Sequence, residues 1–208
     1  PEFDLVVCHN KMNHEEKLIL EDINVELVNQ DKLEKTFLFI DDDEGKIRNF
    51  SWKLMPPRLR IGSHELWVDN DIVIRDRVKG IDKWLEGKTS IIGKGFFPDY
   101  GRFVDKMAGK ESYCAGLFGL PPNFDFGKSI VELCENKPLK GFDEQGLVAM
   151  VVTSFSDYIV LDSDSLALLS ESWMPKGVKW YPNALHFARA NRFQDHSSWK
   201  AYKNAVMP

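Results

Sequence analysis

The chain has 208 residues, 27 Lys and Arg against 32 Asp and Glu, a formal charge of −5 and a pI near 5.6. With 43% hydrophobic and 28% charged residues it can bury a core of its own, which excludes a disordered or collagen-like chain. The acidic balance argues against a nucleic-acid coat, which needs a basic surplus to displace counterions, and no apolar run reaches the ~20 residues that span a bilayer.

The first three residues, Pro1-Glu2-Phe3, resemble a remnant of a fusion vector and are set aside. Residues 4–9 are β-branched and bounded by polar residues, which predicts a first strand. A helix is expected over 15–21 and strands over 24–28 and 36–40. Asp41-Asp42-Asp43-Glu44-Gly45 reads as a solvated turn. Residues 51–59 predict a helix that the pair Pro56-Pro57 bends or ends. Residues 64–74 form the most extended β-rich stretch. Helices are expected over 126–134 and 144–153, strands over 158–161 and 184–187, and a closing helix over 195–205. Strands alternating with helices predict an α/β domain with a mostly parallel sheet, whose ligands sit at the carboxyl ends of the strands. With no repeat, linker or low-complexity tract, residues 1–208 read as one domain. The cysteines, Cys8, Cys114 and Cys134, are odd in number and lack CxxC spacing, so neither a disulfide framework nor a zinc ribbon is expected. With no signal-peptide pattern, a reducing cytoplasm fits.

The densest chemical signal is His64-Glu65-Leu66-Trp67-Val68-Asp69-Asn70-Asp71-Ile72-Val73-Ile74. On an ideal strand, residues i and i+2 face one side, so Asp69 and Asp71 would converge on one cation. Mg²⁺ or Mn²⁺ prefers such oxygen ligands and would in turn hold a diphosphate. The plainer reading is a polar turn between two strands. Asp162-Ser163-Asp164, after the expected strand 158–161, is nearly as good a candidate on local sequence. Upstream of Asp69, Lys53, Arg58 and Arg60 supply cations suited to phosphate, or simply the wet face of a helix. His186 ends an apolar strand, where its ring would reach a metal or serve a structural role. Arg189, Arg192 and Lys200 follow it.

Together these segments resemble the nucleotide-diphospho-sugar glycosyltransferases of the GT-A fold, in pattern glycosyltransferase family 8 and its relatives. The resemblance implies a Rossmann-like, mixed but mostly parallel central sheet flanked by helices. It implies transfer of a sugar from a nucleotide-diphosphate sugar, a UDP-sugar by preference, to a carbohydrate or other hydroxyl acceptor. Asp69-Asn70-Asp71 takes the place of the family's metal-binding motif, with His186 as third ligand to Mn²⁺ or Mg²⁺. Lys53 takes that of the basic residue that reaches the donor, and Arg192 that of a phosphate-binding Lys. Cys8, His9 and Asn10 would hold the nucleoside. Tyr113-Cys114-Ala115-Gly116-Leu117 resembles the strand lining the sugar pocket, and Asp143-Glu144-Gln145 the segment facing sugar and acceptor. The pattern departs in Cys114 for Asn, Gly146 for a second Asp and Arg189 for Gly. Asp143 or Glu144 would orient the acceptor hydroxyl or act as base. Two alternatives are a nucleotidyltransferase, which would want a Gly-rich loop where His9-Asn10-Lys11-Met12-Asn13-His14 stands, and a non-catalytic sugar or nucleotide binder on a degenerate transferase scaffold.

Overall fold

The computed structural model describes residues 3–9, 12–30, 51–135, 137, 139, 143–170, 182–188 and 199. Strand β1 (Val6–His9) pairs in parallel with β2 (Glu26–Asn29) across helix α1 (His14–Asp22). A capping box starts α1: the Glu16 amide donates to Asn13 Oδ1 and the Asn13 amide donates to Glu16 Oε2, both at 2.9 Å. The helix expected over 51–59 is only a 3-10 turn, Ser51–Leu54, because Pro56 and Pro57 cannot donate to a continuing helix.

The extended stretch 64–74 is two strands in two different sheets. Strand β3 (Glu65–Val68) belongs to a four-stranded sheet, and β4 (Ile72–Ile74) to a three-stranded one. Helix α2 (Ile81–Glu86) leads into β5 (Ser90–Lys94), and two 3-10 turns (Gly101–Phe103 and Asp105–Met107) lead into β6 (Tyr113–Leu120). Helices α3 (Phe126–Cys134) and α4 (Asp143–Val152) precede β7 (Tyr158–Leu161), β8 (Leu166–Ser170) and β9 (Ala184–Ala188). The larger sheet runs β3-β6-β5-β7 and the smaller β4-β9-β8.

Among the described residues, β1/β2, β5/β7 and β8/β9 are parallel, whereas β3/β6, β5/β6 and β4/β9 are antiparallel. The sheets are therefore mixed, and the expected parallel majority is not seen. The reason lies in the connections. No helix separates β3 from β4, and the long passage from β5 to β6 lets β6 return against both β3 and β5.

All eight residues of β6 are buried. Its Tyr113, Ala115, Phe118 and Leu120 pack with Phe126 and Ile130 of α3 and Leu147, Val148 and Val151 of α4. Leu117 instead joins Trp84 of α2, Ile91, Leu161, Leu166 and Ala184 in a second cluster. Odd-numbered Tyr113 and Ala115 reach the same cluster as even-numbered Phe118 and Leu120 because Cys114 pairs with Gly93 while Phe118 pairs with Ile92, so residues 115–117 bulge out of the β5 ladder and the alternation changes phase there. The predicted strand 36–40, the acidic run 41–44 and the helix 195–205 lie outside the described residues, apart from Trp199, whose ring meets Phe187 edge-on at 5.6 Å.

Candidate metal and donor site

Asp69, Asn70 and Asp71 form the turn that carries the chain from the larger sheet into the smaller. The Ile72 amide donates to the Asp69 carbonyl at 3.1 Å, closing the turn. Neither aspartate lies on a strand, so they converge by turn geometry and not by the alternation expected from sequence. Backbone bonds fix both sides. The Asp69 amide donates to the Gly116 carbonyl at 2.8 Å, using the β6 bulge, and the Phe187 amide donates to the Asp71 carbonyl at 3.0 Å. Ile72 pairs with His186, which brings that ring to the turn.

Ligand atoms of Asp69, Asp71 and His186 lie within 4.8 Å of one another. His186 is buried and its Nε2 lies 3.1 Å from Asp71 Oδ1, an oxygen shielded from solvent that makes no hydrogen bond of good geometry. Two carboxylates and one imidazole nitrogen around such an under-satisfied oxygen fit a divalent cation. Burial works to lower the His186 pKa, but the Cys114 sulfur and the Asp71 carboxylate prevail and push it up to about 10.

Lys53, at the end of the 3-10 turn, sits on the other side of Asp69. Its Nζ lies 3.0 Å from Asp69 Oδ1 and 2.8 Å from Glu144 Oε1, and donates to the Ala115 carbonyl at 3.5 Å. Burial opposes its charge, yet Glu144 and Asp69 outweigh that and raise its pKa. Burial raises the Glu144 carboxyl even with Lys53 against it. Glu144 is thus the member of the Asp143-Glu144-Gln145 segment bonded to Lys53. Asp143 Oδ1 accepts from the Arg102 amide at 2.8 Å, and Gln145 Nε2 donates to the Asp99 carbonyl at 3.0 Å, so both are tied to the segment 99–102. A Cβ on Gly146 would run into the Tyr100 carbonyl and lie 3.0 Å from Phe103, so the second Asp of the family pattern has no room where α4 meets that segment.

The remaining expected residues are placed as follows. Asn70 is exposed at the tip of the turn, and Ala115 and Gly116 are buried in the β6 bulge. Cys8 and His9 end β1, at the strand's carboxyl end. Cys8 is exposed; partial desolvation, with the Glu65 and Glu26 carboxylates adding repulsion, raises its thiol pKa. Asn10, Arg189 and Arg192 lie outside the described residues.

Arg58 and Arg60 serve a different end of the molecule. Arg58 pairs with Glu65 at 3.2 Å and donates to the Pro121 and Phe124 carbonyls at 3.0 and 3.1 Å, while Arg60 reaches Asp4 and Glu26. Glu65 begins β3 and Asp69 follows its end, about 13 Å away at ~3.3 Å per residue. Asp162 Oδ1 accepts from the Ser165 amide and hydroxyl at 2.9 and 2.8 Å, so the rival acidic pair builds the β7–β8 turn. The Lys53–Glu144 pair and the Cys114–His186 contact (Sγ to Nδ1, 3.4 Å) were not foreseen. Their sequence signal is faint: a cation and a buried acid far apart along the chain, and a Cys two residues before a Gly.

No protein-family model and no curated protein matches the sequence. Solved structures that resemble the fold include two glycosyltransferases. The apo-form glycosyltransferase GlyE of Streptococcus pneumoniae TIGR4 is 12% identical, with a TM-score of 0.50 over 98% of this chain and 52% of GlyE. A glycosyltransferase involved in glycosylation of the major capsid of PBCV-1 is 11% identical, with a TM-score of 0.48 over 95% of this chain and 98% of its own. The likeness to GlyE shows that the chain's mixed α/β fold is similar to that of a glycosyltransferase, and the chain spans about half the length of GlyE.

Proposed function

We propose that the chain transfers a sugar from a nucleotide-diphosphate sugar, by preference a UDP-sugar, to a hydroxyl acceptor, in one domain that needs a divalent cation. The convergence of Asp69, Asp71 and His186 at the turn between the sheets carries this reading; the glycosyltransferase fold agrees with it. These three residues would hold Mn²⁺ or Mg²⁺. When bound, such a cation neutralises a diphosphate and stabilises it as a leaving group.

The rest falls to the chain's own residues. Lys53 holds Asp69 in place and adds positive charge beside the site. Glu144, oriented by Lys53 at 2.8 Å, is the carboxylate on which an acceptor hydroxyl or the donor sugar would bear. Asp143, committed to Arg102, serves to anchor α4. Cys8, His9 and Asn10 at the end of β1 would face the nucleoside, Asn70, Ala115 and Gly116 the donor, and Arg189 and Arg192 the diphosphate. Three unpaired thiols accord with a reducing cytoplasm.

The test is nucleotide release from a panel of nucleotide sugars, with Mn²⁺ and with EDTA. Slow, metal-dependent hydrolysis of one donor without acceptor, lost in Asp71→Asn, is the expected result. Metal-dependent binding with no turnover of any donor would favour the non-catalytic binder. Metal-independent, equally weak binding of every nucleotide would overturn the proposal.

A further inference from the structure

His186 is held from three sides. Asp71 Oδ1 stands 3.1 Å from Nε2, and the buried Cys114 Sγ stands 3.4 Å from Nδ1. On a third side lies Gly116, where a Cβ would come within 2.7 Å of Nδ1 and closer still to Cε1. Cys114 and Gly116 belong to β6 of the larger sheet, and His186 to β9 of the smaller. The glycine leaves room for the ring, and the thiol two residues earlier gives its inner nitrogen a partner.

A neutral imidazole has one bare nitrogen and one N–H. If Nε2 is to offer its lone pair towards Asp69 and Asp71, Nδ1 must carry the proton and have an acceptor. Metal-binding histidines usually donate this second N–H to a carboxylate or carbonyl, which fixes tautomer and ring angle. Here the atom in that place is the Cys114 sulfur.

We infer that Cys114 is a positioning residue for the metal site: its sulfur accepts from His186 Nδ1–H and aims Nε2 at the two aspartates. The inference rests on the reading of Asp69, Asp71 and His186 as metal ligands. Cys114 touches neither metal nor sugar in this role.

The experiment measures Mn²⁺ affinity from the EPR signal of the free ion, with no substrate or turnover involved. It compares wild type, Asp71→Asn, Cys114→Ala and Cys114→Ser, each also melted without metal. Wild type should bind and Asp71→Asn should not. Cys114→Ala should bind about 10–100-fold more weakly, and Cys114→Ser, whose hydroxyl can accept from Nδ1–H, should recover most of that loss. In the Mg²⁺-saturated wild type, long-range ¹H–¹⁵N NMR should show Nδ1 of His186 protonated and Nε2 bare.

Wild-type affinity in a folded Cys114→Ala, an uncorrected loss in Cys114→Ser, or the opposite tautomer would overturn the inference while leaving the metal ligands in place. If Cys114→Ala does not fold, the serine variant and the NMR assignment decide. Failure of wild type itself to bind Mn²⁺ would remove the ligand reading, and this inference with it.

Discussion

Lys53 is the residue on which most of the site's charge turns. Its side chain is 18% exposed and that of Glu144 only 5%, so their 2.8 Å pair behaves as a buried ion pair. Removing Lys53 strands the buried Glu144 carboxylate, whereas removing Glu144 still leaves Lys53 its pair with Asp69 at 3.0 Å, and in the double variant no buried carboxylate is stranded at 144. Lys53→Met should therefore cost about 3 kcal/mol of stability, and the double variant K53M/E144Q less than the sum of the single ones. Urea unfolding of the four proteins measures the coupling. Strict additivity would show that the two side chains do not depend on one another. Part of this arrangement was legible beforehand: Asp69, Asp71 and His186 stood out because polar ligand types interrupt or end apolar runs. What sequence could not supply was which acid of Asp143-Glu144-Gln145 faces Lys53. On a helix that choice depends on how α4 is rotated against its neighbours, which packing at Gly146 decides.

Among the elements, the two acidic turns separate by what their carboxylates do. The Asp69 turn spends its backbone on Gly116 and keeps its side chains for Lys53 and the open ligand cluster. The Asp162 turn spends its side chain on Ser165, and those bonds hold the Asp162 carboxyl below its ordinary pKa. A depressed carboxylate pKa contributes stability above the unfolded value, about 3.9, and loses it as pH falls through the folded one. Asp162 is exposed and solvent screens it, so Asp162→Ala should cost less than about 1 kcal/mol at neutral pH, chiefly through the lost Ser165 hydrogen bonds, with the deficit fading below about pH 4 and Mn²⁺ affinity unchanged throughout. Denaturation from pH 3 to 7 checks this; a deficit independent of pH would contradict it. Element boundaries were readable where caps or β-branched runs mark them, as at α1, α3, β1 and β7. Strand β8, Leu-Ala-Leu-Leu-Ser, has no such mark, since its residues favour helix and only its pairing with β9 makes it a strand. Helix α2 is six residues between Gly80 and Gly87, too short for a period to show.

At the scale of the molecule, the ligand set is contributed by two sheets: Asp69 and Asp71 from the link between them, His186 from the smaller. A cation bound there stabilises only the arrangement in which the sheets are docked, so its binding energy adds to folding. At Mn²⁺ one hundred times above its dissociation constant the gain is about 2.7 kcal/mol, which for a chain of this size raises Tm by roughly 5–11 °C. EDTA should abolish the shift, and Asp71→Asn should show none; an unchanged Tm in saturating Mn²⁺ would mean that the cluster does not hold the sheets together. Strand direction was the largest fold-level misreading. Hydrophobic alternation reports which face is buried, not which way a strand runs, and the three antiparallel ladders depend on connections whose path local sequence does not encode.

Strand β6 is a wall shared by two neighbouring interiors, with Phe118 and Leu120 looking into one and Leu117 into the other. Such a wall leaves little freedom for drift: a larger or smaller residue on one side presses or slackens the other. The same strand supplies the Gly116 carbonyl, so the ligand turn is fastened to the part of the chain least free to vary. Diversification among descendants of this chain should spare β6 and fall on exposed positions such as Ile19 and Ile23, where a change of residue costs the interior little.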